Sequence, residues 1–186
     1  MSINIQPILE NDNVILYPLS ESDFEALYQV ASDPNIWKQH PNKDRWKREV
    51  FDGFFEGAIN SKGAFKVIDK QTQTILGCTR FYDYNPEHNS ILIGYTFYAT
   101  AHWGKGINHA VKRLMLDYIF QFVSTVYFHI GAENLRSKIA IGRLGAIKIN
   151  EQEVAYFNEP PKLNFVYVIT RSQWLSVIDK TIRTDS

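Results

Sequence analysis

Apolar positions along the chain recur with two periods, two and about three and a half, and short polar turns separate the segments. VILYPL (14–19) is a short apolar run that predicts a strand. Ser20 follows it, with Asp23 three residues on in the spacing of a capping box. Phe24, Leu27, Tyr28 and Ala31 then repeat at helical spacing until Asp33-Pro34 ends the helix. Trp46, Val50, Phe54 and Ile59 predict a second helix over 44–59, against the low propensity of Gly53 and Gly57. AFKVIDK (64–70) alternates as a strand, QTQT turns, and ILGCTRFYDY (75–84) is its hairpin partner. Beyond the turn NPEHN (85–89), SILIGYTFYAT (90–100) is the longest strand segment.

Residues 107–122 carry the most regular helical pattern, with Ile107, Val111, Leu114, Met115, Tyr118 and Phe122 on one face. TVYFHIGA (125–132) reads as a buried strand, and Asn134 caps a short helix that Gly145 terminates. AIKINEQEVAYF (146–157) and LNFVYVIT (163–170) are strands separated by a Pro-Pro turn, and RSQWLSVI forms a closing helical turn. The strand-helix-strand unit 90–132 requires a parallel pair with a crossover, whereas the hairpins require antiparallel neighbours. The pattern therefore predicts an α+β fold, a mixed sheet with helices on its faces. No repeat, low-complexity tract or linker divides the chain, so one domain is expected over residues 1–186.

Composition narrows the classes of function. A chain of 186 residues, 45% apolar and 14% aromatic, can bury a real core. Its 20 basic and 20 acidic residues leave no basic excess, so neither nucleic acid nor an anionic membrane is an expected partner. The N-terminal segment MSINIQPILENDN lacks a basic start and a long apolar run, and no apolar run reaches membrane-spanning length. A soluble, cytoplasmic protein is expected. The single cysteine, Cys78 in TILGCTRF, excludes an internal disulfide and reads as a small core residue. Five histidines without ligand spacing predict no metal site.

The stretch AHWGKGINHAVKRLML (101–116) carries the most distinctive chemistry, with Gly104 and Gly106 bracketing Lys105. It is not a P-loop, and a dinucleotide fingerprint would need glycine at position 109, which is His109. A helix opening near residue 105 presents unsatisfied amides and a positive dipole end, to which Lys105 adds charge. Physics alone permits two readings, an anion site or a turn that needs glycine only for its dihedrals.

Strand, W-G-K-G, helix, strand, then N-L-R-S and a helix closing on L-G-A resembles the GNAT superfamily of N-acetyltransferases, and within it the RimJ/RimL-like branch. The likeness covers nearly the whole chain. It implies a mixed, mostly antiparallel sheet with a central parallel strand pair and helices on both faces. It implies acetyl-CoA as co-substrate, no metal, and direct transfer of acetyl to a primary amine. That amine is a protein N-terminal α-amine or a small-molecule amine, and the protein itself is a monomer or homodimer. The family's acetyl-CoA motif falls on Trp103, Gly104, Lys105, Gly106, Ile107 and Asn108. Trp103 stands where the general pattern has Arg or Gln, as is common in this branch. Asn108 stands where a small residue is usual, and its side chain would either crowd the pyrophosphate or hydrogen-bond to it.

By the same resemblance, pyrophosphate rests on the amides of 104–108 and pantetheine lies between strands 90–100 and 125–132. A backbone amide near Phe97 or Tyr98 polarises the thioester carbonyl. Asn134 and Ser137 match positions that touch the pantetheine arm and the sulfur, with Ser137 as the acid for the leaving thiolate. Each has a plainer role as well, Asn134 as an N-cap and Ser137 as a first-turn serine. Tyr95, beside Gly94, is a candidate for the acceptor cleft or for the core. No base is evident: many relatives carry a carboxylate on the long strand, where this chain has Ser90, Ile91, Leu92 and Ile93. Asp83, Glu133, Glu153 and Glu159 read mainly as surface carboxylates, His102 as a loop residue beside the cradle, and His129 as a core or site histidine; His40 and His88 have no assignable partner. Two further readings stand beside the enzyme, a non-catalytic acyl-CoA-binding or sensing domain and a purely structural α+β domain.

Overall fold

The computed structural model of the chain describes residues 3–155 and 160–184, with side chains through residue 179. Its strands are β1 (Leu9–Glu10), β2 (Val14–Pro18), β3 (Ala64–Asp69), β4 (Ile75–Asn85), β5 (Ser90–Tyr98), β6 (Thr125–Gly131), β7 (Ile147–Val154) and β8 (Lys162–Thr170). They form one sheet in the order β1-β2-β3-β4-β5-β6-β8-β7. Every neighbouring pair is antiparallel except β5 and β6. This is the mixed α+β sheet that the pattern predicts, mostly antiparallel with a central parallel pair as the resemblance implies.

Helices cover both faces because the strands alternate their apolar side chains between two cores. On one face α1 (Phe24–Ala31), α2 (Pro34–Trp37) and α3 (Arg48–Asn60) bury Leu27, Trp37, Phe51, Phe54 and Phe55 against Cys78 and Phe97 of the sheet. On the other, α4 (Ile107–Ile119), α5 (Leu135–Gly142) and α6 (Arg171–Thr184) bury Met115, Leu116, Ile141 and Trp174 against Phe81, Ile91 and Phe128. No helix among the described residues is long and apolar enough to cross a membrane.

Several boundaries differ from the sequence expectation. The Ser20 amide donates to Asp23 Oδ2 at 2.9 Å, as a capping box requires, but the first turn is a 3-10 turn over Glu21–Asp23. Asp33-Pro34 separates two helices: the Asp33 side chain accepts from the Asn35 amide and starts α2. α3 begins at Arg48, four residues later than expected at 44. On α4 the buried face is Val111, Lys112, Met115, Leu116 and Ile119, while Phe122 is 41% exposed beyond the helix end. The expected stripe included Phe122 and missed Lys112. Gly145 lies past the end of α5 at a positive φ of 89°. α6 is a full helix, anchored by buried Trp174, whose indole N–H donates to Asp117 Oδ1 at 2.7 Å. The expected strand end at Tyr156 and Phe157, and the candidate Glu159, lie outside the described residues.

One close approach shapes the strand that enters the site. A Cβ on Gly77 would collide with the Phe97 carbonyl, which is backbone and has no means of giving way. Gly77→Ala is expected to destabilise the fold by about 1–3 kcal/mol and to lower Tm by roughly 3–10 °C, measured by thermal unfolding. An unchanged Tm would mean that β4 and β5 are further apart than described.

Candidate active site

The parallel ladder between β5 and β6 is short. It pairs Ser90 with Thr125, Ile91 with Val126 and Leu92 with Tyr127, and then ends. Beyond it the two strands line a cleft of about 660 Å³, shared with the N-terminal turns of α4 and α5 and with residues of the segment after α2. The strands part where β5 is irregular. Its partner β4 pairs Cys78 with Phe97 and Arg80 with Gly94, so Thr79 faces both Tyr95 and Thr96. Two residues against one is a β-bulge, and Tyr95 takes the left-handed φ of 52°.

A non-glycine residue at positive φ costs of order 1–3 kcal/mol unless its surroundings hold it there. Arg80 does so from one face. Its guanidinium lies 3.9 Å from the Tyr95 ring centroid and donates to the Gly57 and Phe54 carbonyls of α3. A desolvated cation–π contact is worth about 2 kcal/mol, enough to offset the strain. The Tyr95 ring also packs on Phe54 and Tyr82 while lining the cleft. The Tyr95 side chain therefore packs against the core and borders the cleft at once.

From the other face, Lys112 of α4 reaches the same bulge. Its Nζ donates to Thr79 Oγ1 at 2.8 Å and to Thr96 Oγ1 at 2.7 Å, bridging the strands where their backbone pairing skips. The side chain is almost fully buried, and among the described residues no carboxylate forms an ion pair with it. Burial away from water pushes its ammonium down to about 7. Lys112 was missed in the sequence because its threonine partners lie 33 and 16 residues away.

The bulge also decides which amides face the opening. Ala99 N–H donates to Leu76 O on β4. Backbone groups alternate sides along an antiparallel strand, so the Phe97 amide also faces β4. The Tyr98 amide faces the open edge. Of the two expected carbonyl-polarising donors, Phe97 therefore has its amide turned toward β4 and away from the open edge, and its buried side chain packs on Trp37 and Phe54. The Tyr98 phenol is buried with no hydrogen-bond partner among the described residues, and burial pushes its pKa up.

At the far end of the cleft, Gly106 is the N-cap of α4 with φ 78°, and Gly104 has φ 75°. A Cβ at either would meet nothing within 4 Å. The glycines are required by their dihedrals, and the space before the helix amides is open. An anion fits there on the exposed N–H groups and dipole end. Ile107 and Asn108 line the cleft, but Lys105 is exposed and is not part of its lining. Trp103 does more than fill a motif position. Its indole N–H donates to Tyr98 O at 3.0 Å, and the Arg136 guanidinium stacks 3.6 Å from its ring centroid.

Asn134, only 4% exposed, accepts the Ser137 amide at 3.1 Å and is the N-cap of α5. Ser137 lines the cleft one turn beyond it. On the opposite wall Pro41 sits over Gly131, where a Cβ would collide with its ring. His40 is neutral, its pKa pushed down to about 3 by burial and by the positive charges of Arg45 and Arg136. His129 is half-buried beside Gln152, 3.1 Å from its Nε2, and desolvation lowers its pKa. Its Nδ1 is buried with no hydrogen-bond partner among the described residues. Among the acidic candidates, Glu133 is an exposed ion-pair partner of Lys43 and Glu153 lies on the exposed β7. Asp83 is exposed, near enough to act on His129 by its charge. His102 lines the cleft, whereas His88 is exposed in the β4–β5 turn.

The family follows from comparison with known proteins. Residues 13–147 match the acetyltransferase (GNAT) domain, and the chain belongs to this acetyltransferase family. A GCN5-related N-acetyltransferase from Brucella melitensis superposes with a TM-score of 0.79 at 19% identity, covering 92% of this chain and 82% of that one. Spermidine N-acetyltransferase from Vibrio cholerae, in complex with CoA and spermine, gives 0.68 at 20% identity over 89% and 99%. Mycobacterium smegmatis RimJ, in complex with CoA-disulfide, gives 0.68 at 16% identity over 90% and 87%. At these identities the structural likeness establishes the shared fold.

The buried lysine makes stability depend on pH in a definite direction. Its pKa is depressed from 10.5 to about 7, so between these values the unfolded chain holds a proton that the folded chain does not. Stability therefore rises with pH across that window and is lost as pH falls through 7. Relative to Lys112→Met, the wild-type unfolding free energy should climb from pH 7 to 9 by up to about 1.4 kcal/mol per unit in denaturant titrations. Parallel profiles for the two proteins would show that Lys112 keeps an ordinary pKa.

Proposed function

We propose that the chain is an acetyl-CoA-dependent N-acetyltransferase of the RimJ/RimL-like kind, acting on a primary amine by direct attack. The observation that carries this is a single cleft with two ends. At one end the left-handed Gly106 cap opens α4, and at the other the β5 bulge leaves the Tyr98 amide on an open edge. Pyrophosphate would rest on the amides of 104–108, with Asn108 positioned to hydrogen-bond to it. The pantetheine arm would run along the Tyr98 edge past Asn134. Trp103 occupies the Tyr98 carbonyl, which leaves the amide as the donor toward the thioester. Ser137 would protonate the departing thiolate, and Tyr95 would line the acceptor side.

A protein α-amine is the favoured acceptor. With a pKa near 8 it is roughly a tenth neutral at pH 7, whereas a lysine amine near 10.4 needs about 3 kcal/mol more help. Among the described side chains lining the cleft are Arg45, Lys112, Arg136 and Arg143 and no carboxylate, an environment poorly suited to a polycation. The same lack of a carboxylate favours the second reading, an acyl-CoA-binding domain without turnover.

The test is CoA release from acetyl-CoA with matched acceptors, namely a peptide with a free α-amine and blocked lysines, its converse, and spermidine. The α-amine peptide should be turned over best, with a rate rising through neutral pH. Tight CoA binding without turnover of any amine supports the non-catalytic reading. Gly106→Glu, which puts a carboxylate and a strained φ at the cradle, should abolish measurable CoA binding while the protein remains folded. Retained wild-type affinity would remove the cradle assignment. Ser137→Ala should lower kcat roughly ten- to a thousand-fold with acetyl-CoA affinity nearly intact. Lost affinity with an unchanged rate would make Ser137 a binding residue instead.

A further inference from the structure

Along the segment after α2 the wall of the cleft is positive, and no described residue lining the cleft is acidic. Beyond its burial, His40 is held neutral by the charges of Arg45 and Arg136, both of which line the cleft. The two guanidiniums are engaged differently. Arg45 is packed in: it is 2% exposed, lies 5.7 Å from the Trp37 ring centroid and 5.2 Å from that of Phe54, and donates to His40 Nδ1 at 3.3 Å. Arg136, in the first turn of α5, is held at two points only. One face stacks on Trp103, and Nη2 donates to Ile36 O at 3.2 Å. Its backbone amide donates to Gln39 Oε1, which ties the helix to the same wall. A guanidinium has five N–H donors and stays charged through the neutral range. Apart from the bond to Ile36 O, the donors of Arg136 have no partner among the described residues, and no carboxylate there pairs with it. Glu133, the nearest acid in sequence, pairs with Lys43. Of the other cations in the lining, Lys112 gives up its proton near pH 7 and Arg143 is exposed.

We propose that Arg136 selects the acceptor, and that the cleft takes an amine carrying a carboxylate close by, which the Arg136 guanidinium binds. The inference rests on the acetyl-transfer reading and narrows its acceptor class. Arg136 keeps donors enough for both oxygens of a carboxylate, and charge-assisted bonds of this kind are among the stronger ones a protein makes. Its planar group is already fixed by the indole and by Ile36 O, so little side-chain freedom is lost when the ligand arrives. The anion belongs to the acceptor because Ile36 and Gln39 bind Arg136 into the wall after α2, whereas the phosphates of CoA have the amides of 104–108. The carboxylate is either the side chain of an acidic residue at the start of a peptide or the α-carboxylate of a free amino acid. A polyamine, with no anion and several positive charges, is refused by the same wall.

Matched acceptors test this. Acetylation is followed with peptides of one sequence that carry Asp or Asn at the first or the second residue, and with a free amino acid against its amide. The wild type should use the acidic member of at least one pair about tenfold better in kcat/KM, chiefly through KM. The pair that shows the preference tells a peptide side chain from an α-carboxylate. The advantage should shrink as salt is raised. In Arg136→Gln the acidic-to-neutral ratio should fall to within about two-fold, with CoA affinity changed by less than about two-fold. Equal use of acidic and neutral members in every pair by the wild type overturns the inference. So does an Arg136→Gln protein that keeps the preference and loses CoA affinity, which would put a CoA phosphate on Arg136. If that variant does not fold, the wild-type ratio and its salt dependence decide alone. Calorimetric binding of the same acceptors to the CoA-loaded protein separates this inference from the reading it rests on. Preferential binding of the acidic member with no turnover defeats acetyl transfer and keeps the anion site, and turnover without acidic preference does the reverse.

Discussion

The cleft exists because the parallel ladder between β5 and β6 stops at Leu92 and Tyr127 while both strands continue. An unpaired strand edge carries unsatisfied backbone groups and would ordinarily close or aggregate. Here each strand is held from its far side. β5 is bonded to β4 along most of its length, and β6 pairs with β8 from Thr125 to Gly131. The gap is bridged on the α1–α3 side by the segment after α2, with His40 hydrogen-bonded to the Thr96 carbonyl and Pro41 over Gly131. What stays open is the run of edge groups around Tyr98, within reach of the amides that open α4. Rigid strands with a deliberate gap present these groups more sharply than a loop would.

Two buried cations flank the bulge from opposite faces, and their energetics differ. Arg80 is answered within the chain by two α3 carbonyls and the Tyr95 ring. Its charge is part of what holds Tyr95 at positive φ, so it belongs to the architecture. Lys112 makes two hydrogen bonds, both to neutral hydroxyls, and has no anionic partner among the described residues. Replacing such a group with an apolar one of like shape is often stabilising, so the fold alone gives little reason to have it.

Local chemistry was legible in the sequence and long-range chemistry was not. The Asn134 cap and the Ser20–Asp23 box each join residues within a few positions, and each stands where the spacing put it. The alternation of β2 through β6 was readable for the same reason. The Phe122 error arose because a helical stripe continues on paper after the helix has ended at Ile119. Lys112 carries no assignment in the sequence, since nothing nearby announces Thr79 and Thr96. Arg80, within an apolar strand, was hidden likewise, its partners being α3 carbonyls 23 and 26 residues away. The choice between Phe97 and Tyr98 needed the strand register, which no periodicity contains.

Trp103 shows how a departure from a motif can be absorbed by its surroundings. Where the general family pattern has a charged or amide side chain, this indole donates to Tyr98 O and offers its face to Arg136. Arg136 in turn donates to Ile36 O, while its own amide donates to the Gln39 side chain. The aromatic side chain thus recruits its cation from α5 rather than carrying one itself. The result ties the cradle end of the cleft to the segment after α2 that bridges the gap at His40 and Pro41. On the proposed reading, the residues that fix the CoA arm also fix the wall against which the acceptor amine would approach. The two substrates would then meet in a geometry set before either one binds, which is where most of the advantage of direct transfer lies.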